Sequence, residues 1–195
     1  MKENILIDLG GILIDLDFNA MHDAFEALGV REEPAKSDLQ KYETGKMSTA
    51  DFYSLWQTSN WVMKSDINHA WNALLLDIPE ERIALLKKLS RKHRLYLVSN
   101  TNELHINAIK SQMGIFGWNQ FSKLFEKMYF SHEVGNRKPN KAFFESILKD
   151  AGLSAEDCSF IDDTKEHVDA AAKLGMDAHY VNLEEETILD LDIAR

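Results

Sequence analysis

The chain has 195 residues, 45% of them hydrophobic, which is enough to bury a core and to form one domain with a sizeable insertion. Twenty-two Lys and Arg against 32 Asp and Glu leave a formal charge of −10, which argues against nucleic acid as a partner; a phosphate ligand would need a local, focused positive site. The lone cysteine, Cys158, cannot form an intramolecular disulfide, and no paired spacing suggests a secreted scaffold or a zinc site, so a reducing, cytoplasmic setting is expected.

The first 17 residues are apolar enough to resemble an export signal, but Asp8, Asp15 and Asp17 interrupt them, and no apolar run is long enough to cross a bilayer. Neither export nor membrane insertion is expected. Ile5-Leu6-Ile7 reads as a first strand. From 18 to 76 the pattern is helical, with three tryptophans and no convincing strand; turn formers at 29–34, 45–48 and 58–60 divide it into roughly four helices. Ile83, Leu86 and Leu89 then mark one face of a helix, and Leu95-Tyr96-Leu97-Val98 a second strand. Met128-Tyr129-Phe130 and Ser159-Phe160-Ile161 follow as strands, separated by a helix carrying Phe143, Phe144, Ile147 and Leu148. A helix with Val168, Ala171 and Ala172 stops at Gly175, and Ala178-His179-Tyr180-Val181 closes the series. This alternation predicts an α/β domain with a largely parallel sheet, built from 1–17 and 77–195, and an all-helical insertion over 18–76.

Ligands of open parallel sheets bind beyond the carboxyl ends of the strands, so the residues just after each apolar run carry the functional signal. The first run ends in Asp8-Leu9-Gly10-Gly11, the second in Ser99-Asn100-Thr101 and the fourth in Asp162-Asp163; Arg137-Lys138-Pro139 follows the third after a short loop. Asp8 beside two glycines points to a backbone that must approach something closely. Asn100 with Glu103, and Asp163 with Glu166, fit a helix-capping pattern as well as a functional one. Asp162 adds a repulsion that capping does not require and that a divalent cation would relieve. Pro139 suits the first position of a helix and would put Lys138 at the N-cap, where the helix dipole disfavours a cation; pairing with an anionic nucleophile or a phosphate explains it better. Arg137 reads as a solvated surface charge.

Taken in order, Asp8-Leu9-Gly10-Gly11-Ile12-Leu13, Ser99, Lys138-Pro139 and Asp162-Asp163 resemble the four motifs of the haloacid dehalogenase superfamily, with its Rossmann-like core and small helical cap. Ser99-Asn100-Thr101-Asn102-Glu103-Leu104-His105 is further similar to a bacterial subgroup of sugar-phosphate phosphatases. The resemblance implies that Asp8 attacks phosphorus and forms an aspartyl-phosphate, that Ser99, Asn100 and nearby amides bind the transferring oxygens, and that Lys138 holds Asp8 and offsets developing charge. It further implies Mg²⁺ held by the Asp8 carboxylate, the Gly10 carbonyl and Asp163, with Asp162 acting directly or through water, and a small phosphorylated molecule as substrate.

One position departs from that pattern: phosphatases of the superfamily usually carry an acid/base aspartate two residues after the nucleophile, and this chain has Gly10. Expulsion of an alkoxide must then rely on magnesium, on Lys138, or on a proton donor from the cap or the substrate. Two other readings stand beside the phosphatase: a metal-independent 2-haloacid dehalogenase, disfavoured by the paired acids, and a non-catalytic phosphate-binding protein. Phe52, Tyr53, Trp56, Trp61 and Trp71 are read as core more than as substrate pocket; Asn102 and His105 follow the second strand and are candidates to face the site, with His105 read more as a surface helix residue than as a proton shuttle and kept outside the catalytic set.

Overall fold

In the computed structural model, which describes residues 1–30, 34–56 and 62–191, β1 (Asn4–Ile7) leads through a turn into four helices: α1 (Phe18–Ala27), α2 (Lys36–Glu43), α3 (Thr49–Trp56) and α4 (Lys64–Asn72). The chain then alternates: α5 (Glu80–Leu89), β2 (Arg94–Ser99), α6 (Glu103–Ser122), β3 (Lys127–Phe130), the short α7 (Ser131–Val134) and α8 (Lys141–Ala151). It ends with β4 (Cys158–Asp162), α9 (Lys165–Lys173) and β5 (Asp177–Tyr180).

The five strands form one parallel sheet in the order β3-β2-β1-β4-β5. Helices cover both faces of such a sheet, so its central strands need apolar side chains on both sides, and all four residues of β1 are buried. The period-2 alternation divides the two faces. Ile5 and Ile7 join Leu95, Leu97 and Ile161 beneath α5 and α6, whereas Leu6, Tyr96, Val98 and Phe160 pack against α8 and α9. Val168 and Ala171 supply the inner stripe of α9; Ala172 is exposed, because one further residue turns the side chain about 100° around the helix and off the sheet.

The four inserted helices build an aromatic core of their own. Phe25 stacks on Trp56 at 3.9 Å and Tyr42 on Phe52 at 4.2 Å, and Trp71 meets Phe52 edge-on at 5.0 Å. Phe52 is fully buried, and truncating such a ring would cost about 3–5 kcal/mol. The core reading therefore holds for Phe52, while Trp56 and Trp71 are buried and also form part of a cavity wall. Trp61 and the turn formers at 58–60 lie outside the described residues. The insertion leaves and rejoins the sheet domain along a short antiparallel seam: Leu16 is bridged to Leu75, Asp17 N–H donates to the Leu74 carbonyl (2.8 Å), and Leu76 N–H donates to the Asp15 carbonyl (3.1 Å). Among the described residues no helix is long and apolar enough to cross a membrane.

Candidate active site

With β1 central and the chain crossing outward on either side of it, to β2 and to β4, the switch in direction opens a crevice at the carboxyl end of β1. Asp8 sits there. Its N–H still bonds the Ile161 carbonyl of β4 (3.0 Å), and its Oδ1 accepts the Leu9 N–H (2.7 Å). Immediately beyond, Leu13 and Ile14 N–H both return to the Leu9 carbonyl in a tight turn. Gly11 has φ 75° within it, and a Cβ there would lie 2.3 Å from Asp163 Oδ2. The glycine is what lets the Asp163 carboxylate come up against the turn.

Lys138 is fully buried, and its ammonium donates to Asp8 Oδ1 (2.8 Å), Asp162 Oδ2 (2.6 Å) and the Val98 carbonyl (3.0 Å). Three acceptors from the ends of three adjacent strands thus satisfy its three protons. Burial opposes its charge, but Asp162 and Asp8 outweigh that and hold the ammonium above the usual lysine range. Lys138 is not the N-cap that Pro139 suggested. Asn140 caps α8, accepting from Ala142 N–H at 2.9 Å, so Lys138 lies two residues upstream, in the turn before the helix. Asn100 clamps that turn from both sides: its Oδ1 accepts Lys138 N–H (2.8 Å) and its Nδ2 donates to the Lys138 carbonyl (3.0 Å). Ser131 does the same for the loop after β2, accepting from Thr101 N–H and donating to the Thr101 carbonyl.

Asp162, the last residue of β4, is fully buried. Its Oδ1 accepts Thr164 N–H (2.8 Å) and faces His167 Nδ1 (2.9 Å), while Oδ2 takes Lys138. Burial opposes its ionisation, but Lys138 and His167 outweigh that and keep the carboxyl well below the usual range. The capping reading fails for Asn100 and Asp163: α6 is capped by Asn102, which accepts His105 N–H, and α9 begins after Thr164. Asp163 is only partly buried, and burial followed by the Asp162 charge pushes its pKa up. Asp8 is likewise pushed up, chiefly by burial, with Asp162 and Asp163 adding to it against Lys138. One oxygen from each of Asp8, Asp162 and Asp163 falls within 4.8 Å of the others, an all-oxygen cluster that could hold a metal ion and whose mutual repulsion a hard cation would relieve.

Beside these acids, a cavity of about 540 Å³ runs between the sheet edge and the inserted helices, a size suited to a small molecule. Gly10, Ser99, Asn100 and Asn102 line it from the sheet side, and His22 and Glu43 from the insertion. Ser99, the last residue of β2, is buried in its wall. Gly10 also faces it, and a Cβ there would meet Leu16 Cδ1 at 3.1 Å.

Four residues were not legible from the sequence or were misread. His167 stands one helical turn beyond Asp163, a spacing that could have flagged it. Ser131 carried no signal. Arg137 is not a solvated charge: its Nε lies 3.0 Å from Glu43 Oε2 with both side chains mostly covered, an ion pair from the sheet domain to α2. His105 is not a surface residue either. It is buried, stacked on Trp71 at 4.9 Å, with Nε2 3.2 Å from the Trp71 carbonyl and Nδ1 3.2 Å from Asn102 Nδ2. These contacts assign Nε2 as the donor and Nδ1 as an acceptor, the neutral ring, and burial lowers its pKa to about 4.

Residues 3–175 match the haloacid dehalogenase-like hydrolase family. The chain is 23% identical over 186 residues to a D-ribitol-5-phosphate phosphatase of Bacteroides thetaiotaomicron, covering 91% of this chain and 90% of that one. It superposes on a HAD family enzyme of the same organism, solved with magnesium and inorganic phosphate, with a TM-score of 0.85, 30% identity and coverage of 95% and 97%. A 2-haloacid dehalogenase from Pseudomonas syringae shares the fold at a TM-score of 0.64 and 15% identity, covering 98% of this chain and 91% of that one. This chain belongs to the haloacid dehalogenase-like hydrolase family.

Proposed function

We propose that this chain is a magnesium-dependent phosphatase acting on a small phosphate ester through a covalent intermediate on Asp8. The observation that carries the reading is the buried Lys138 ammonium bonded at once to Asp8 and Asp162, beside the open carboxylate of Asp163. In this reading Lys138 aims Asp8 and offsets part of the burial that raises its pKa, and a bound cation would favour the ionised form further. Asp8 attacks phosphorus as the ester oxygen leaves, and water then hydrolyses the acyl phosphate. Ser99, together with Asn100 and the adjoining backbone amides, receives the phosphoryl oxygens, and Lys138 offsets the charge that develops on them.

Asp8, the Gly10 carbonyl and Asp163 are the proposed direct metal ligands; both oxygens of Asp162 are committed to Lys138, Thr164 and His167, so Asp162 acts through water. When bound, magnesium would neutralise phosphate charge and help orient the phosphoryl group toward Asp8. Residues 18–76 serve as a cap closing on a core of 1–17 and 77–195, and the polar groups facing the cavity suit a sugar or polyol phosphate, the kind of compound named for the Bacteroides relative. A cytoplasmic location fits the single, buried thiol of Cys158.

The test is phosphate release from an aryl phosphate and from a panel of sugar and polyol phosphates, with magnesium and with chelator. Asp8→Asn should remove release in a correctly folded protein. Retained turnover would end the covalent reading, and halide release that survives chelation would favour the dehalogenase. Phosphate binding without any turnover would make the chain a non-catalytic binder.

A further inference from the structure

If the chain is a phosphatase, as proposed above, Gly10 leaves it without the usual proton donor, and the cavity wall offers a replacement. Among the described residues, the titratable groups lining the cavity are His22, Glu43 and His105. His105 is excluded, because both ring nitrogens are engaged and the ring is neutral. His22 is exposed on α1. Glu43, the last residue of α2, is held in place: Arg137, the neighbour of Lys138 in the chain, pairs with its Oε2 at 3.0 Å and leaves Oε1 unclaimed by that contact. Two residues on, Gly45 packs so tightly on α7 that a Cβ would come within 2.3 Å of the His132 carbonyl, so the end of α2 is seated against the core. Glu43 is thereby fixed in the wall of the same cavity as Gly10, Ser99 and Asn100.

We infer that Glu43 does the work of the acid missing at Gly10. Its carboxyl gives a proton to the ester oxygen as the bond from that oxygen to phosphorus breaks and the bond from Asp8 forms. Water then hydrolyses the acyl phosphate, which frees Asp8 and phosphate, and the proton released by that hydrolysis returns through solvent to the carboxylate and restores the acid. Burial raises the Glu43 pKa, and the cations facing it, Arg137 from the loop before α8, His167 from α9 and Lys36 from its own helix, pull it back only in part. A partly buried, fixed carboxyl of this kind suits a proton donor better than an exposed one.

The experiment compares aryl phosphates, whose leaving groups need no proton, with primary alkyl phosphates, whose leaving groups do. In Glu43→Gln, alkyl ester turnover should fall about 10²–10⁴-fold while aryl ester turnover falls far less, so that a shallow dependence on leaving-group pKa becomes steep. The alkaline fall in alkyl ester turnover, as the acid is titrated, should disappear with it. Gly10→Asp, added to Glu43→Gln, should restore alkyl turnover, since Gly10 has no positive φ and only the mobile end of Leu16 stands in the way. Glu43→Asp should fall between the two, and aryl turnover reports in every sample that the protein is folded. An equal loss on both ester classes, or no loss, overturns the inference, as does His22→Gln producing the steep dependence instead. A native protein without aryl turnover would overturn the phosphatase reading beneath it, which the Glu43 variants cannot mimic.

Discussion

Acidification should loosen this protein at a particular place, the seam where His105 of α6 meets Trp71 of α4. An ordinary histidine titrates near 6.5, whereas His105 in the fold titrates near 4, because burial disfavours the imidazolium. The folded pKa is depressed, so the unfolded chain takes up a proton below the ordinary value while the folded chain resists. The associated stability is present in full above about pH 6.5 and is lost as pH falls toward about 4. Between about pH 7 and about pH 5 the two values give a loss of about 2 kcal/mol, and the full window is worth roughly 3 kcal/mol. Protonation would also turn Nδ1 from an acceptor of the Asn102 amide into a second donor facing it, so the break should begin at this contact. Urea unfolding of the native chain and of His105→Gln, in chelator across this pH range, isolates the contribution, since the other titrating groups cancel in the difference. The variant should be weaker near neutrality but should lose about 2 kcal/mol less on acidification. Identical pH slopes for the two proteins would refute the assignment of a buried neutral ring.

Lys138→Met should abolish turnover and cost about 3–5 kcal/mol in urea unfolding, because Asp8 and Asp162 are left facing each other with no cation between them. Asp163→Asn should weaken magnesium roughly tenfold or more by calorimetry, and an unchanged affinity would remove it from the ligand set. Gly11→Ala combines a positive φ, worth about 1–2 kcal/mol, with a Cβ driven into Asp163 Oδ2; it should fold, measured by urea titration, yet lose magnesium affinity in the same calorimetric assay.

The five strands and the residues at their carboxyl ends were legible because a buried parallel sheet writes itself as short, continuous apolar runs, and the crevice lies where those runs stop. Asp8, Ser99, Asp162 and Asp163 sit where that rule points, whereas Lys138, beyond α7, stood out as a cation next to Pro139. Errors arose where a neighbour distant in sequence decides the environment. The start of α6 carries Leu104, His105 and Ile106 in succession, and only the insertion lying across it turns His105 inward. Arg137 reads as solvated until Glu43, in a separate part of the fold, covers it. The Lys138 turn was misassigned because Pro139 is compatible with a helix start, while the stronger signal, the Asn140 side chain reaching Ala142, sits one residue further on.

The paired backbones at Leu16 and Leu75 have a consequence for how such a protein can change over time. To the sheet, the intervening helices are the tip of a hairpin, since both ends return to the same place and the strand register is set without them. Insertions, deletions and wholesale replacement within that tip can accumulate while Asp8, Lys138, Asp162 and Asp163 stay in alignment. With that tip acting as the proposed cap, a lineage could trade one substrate for another by rewriting a single contiguous stretch of its gene.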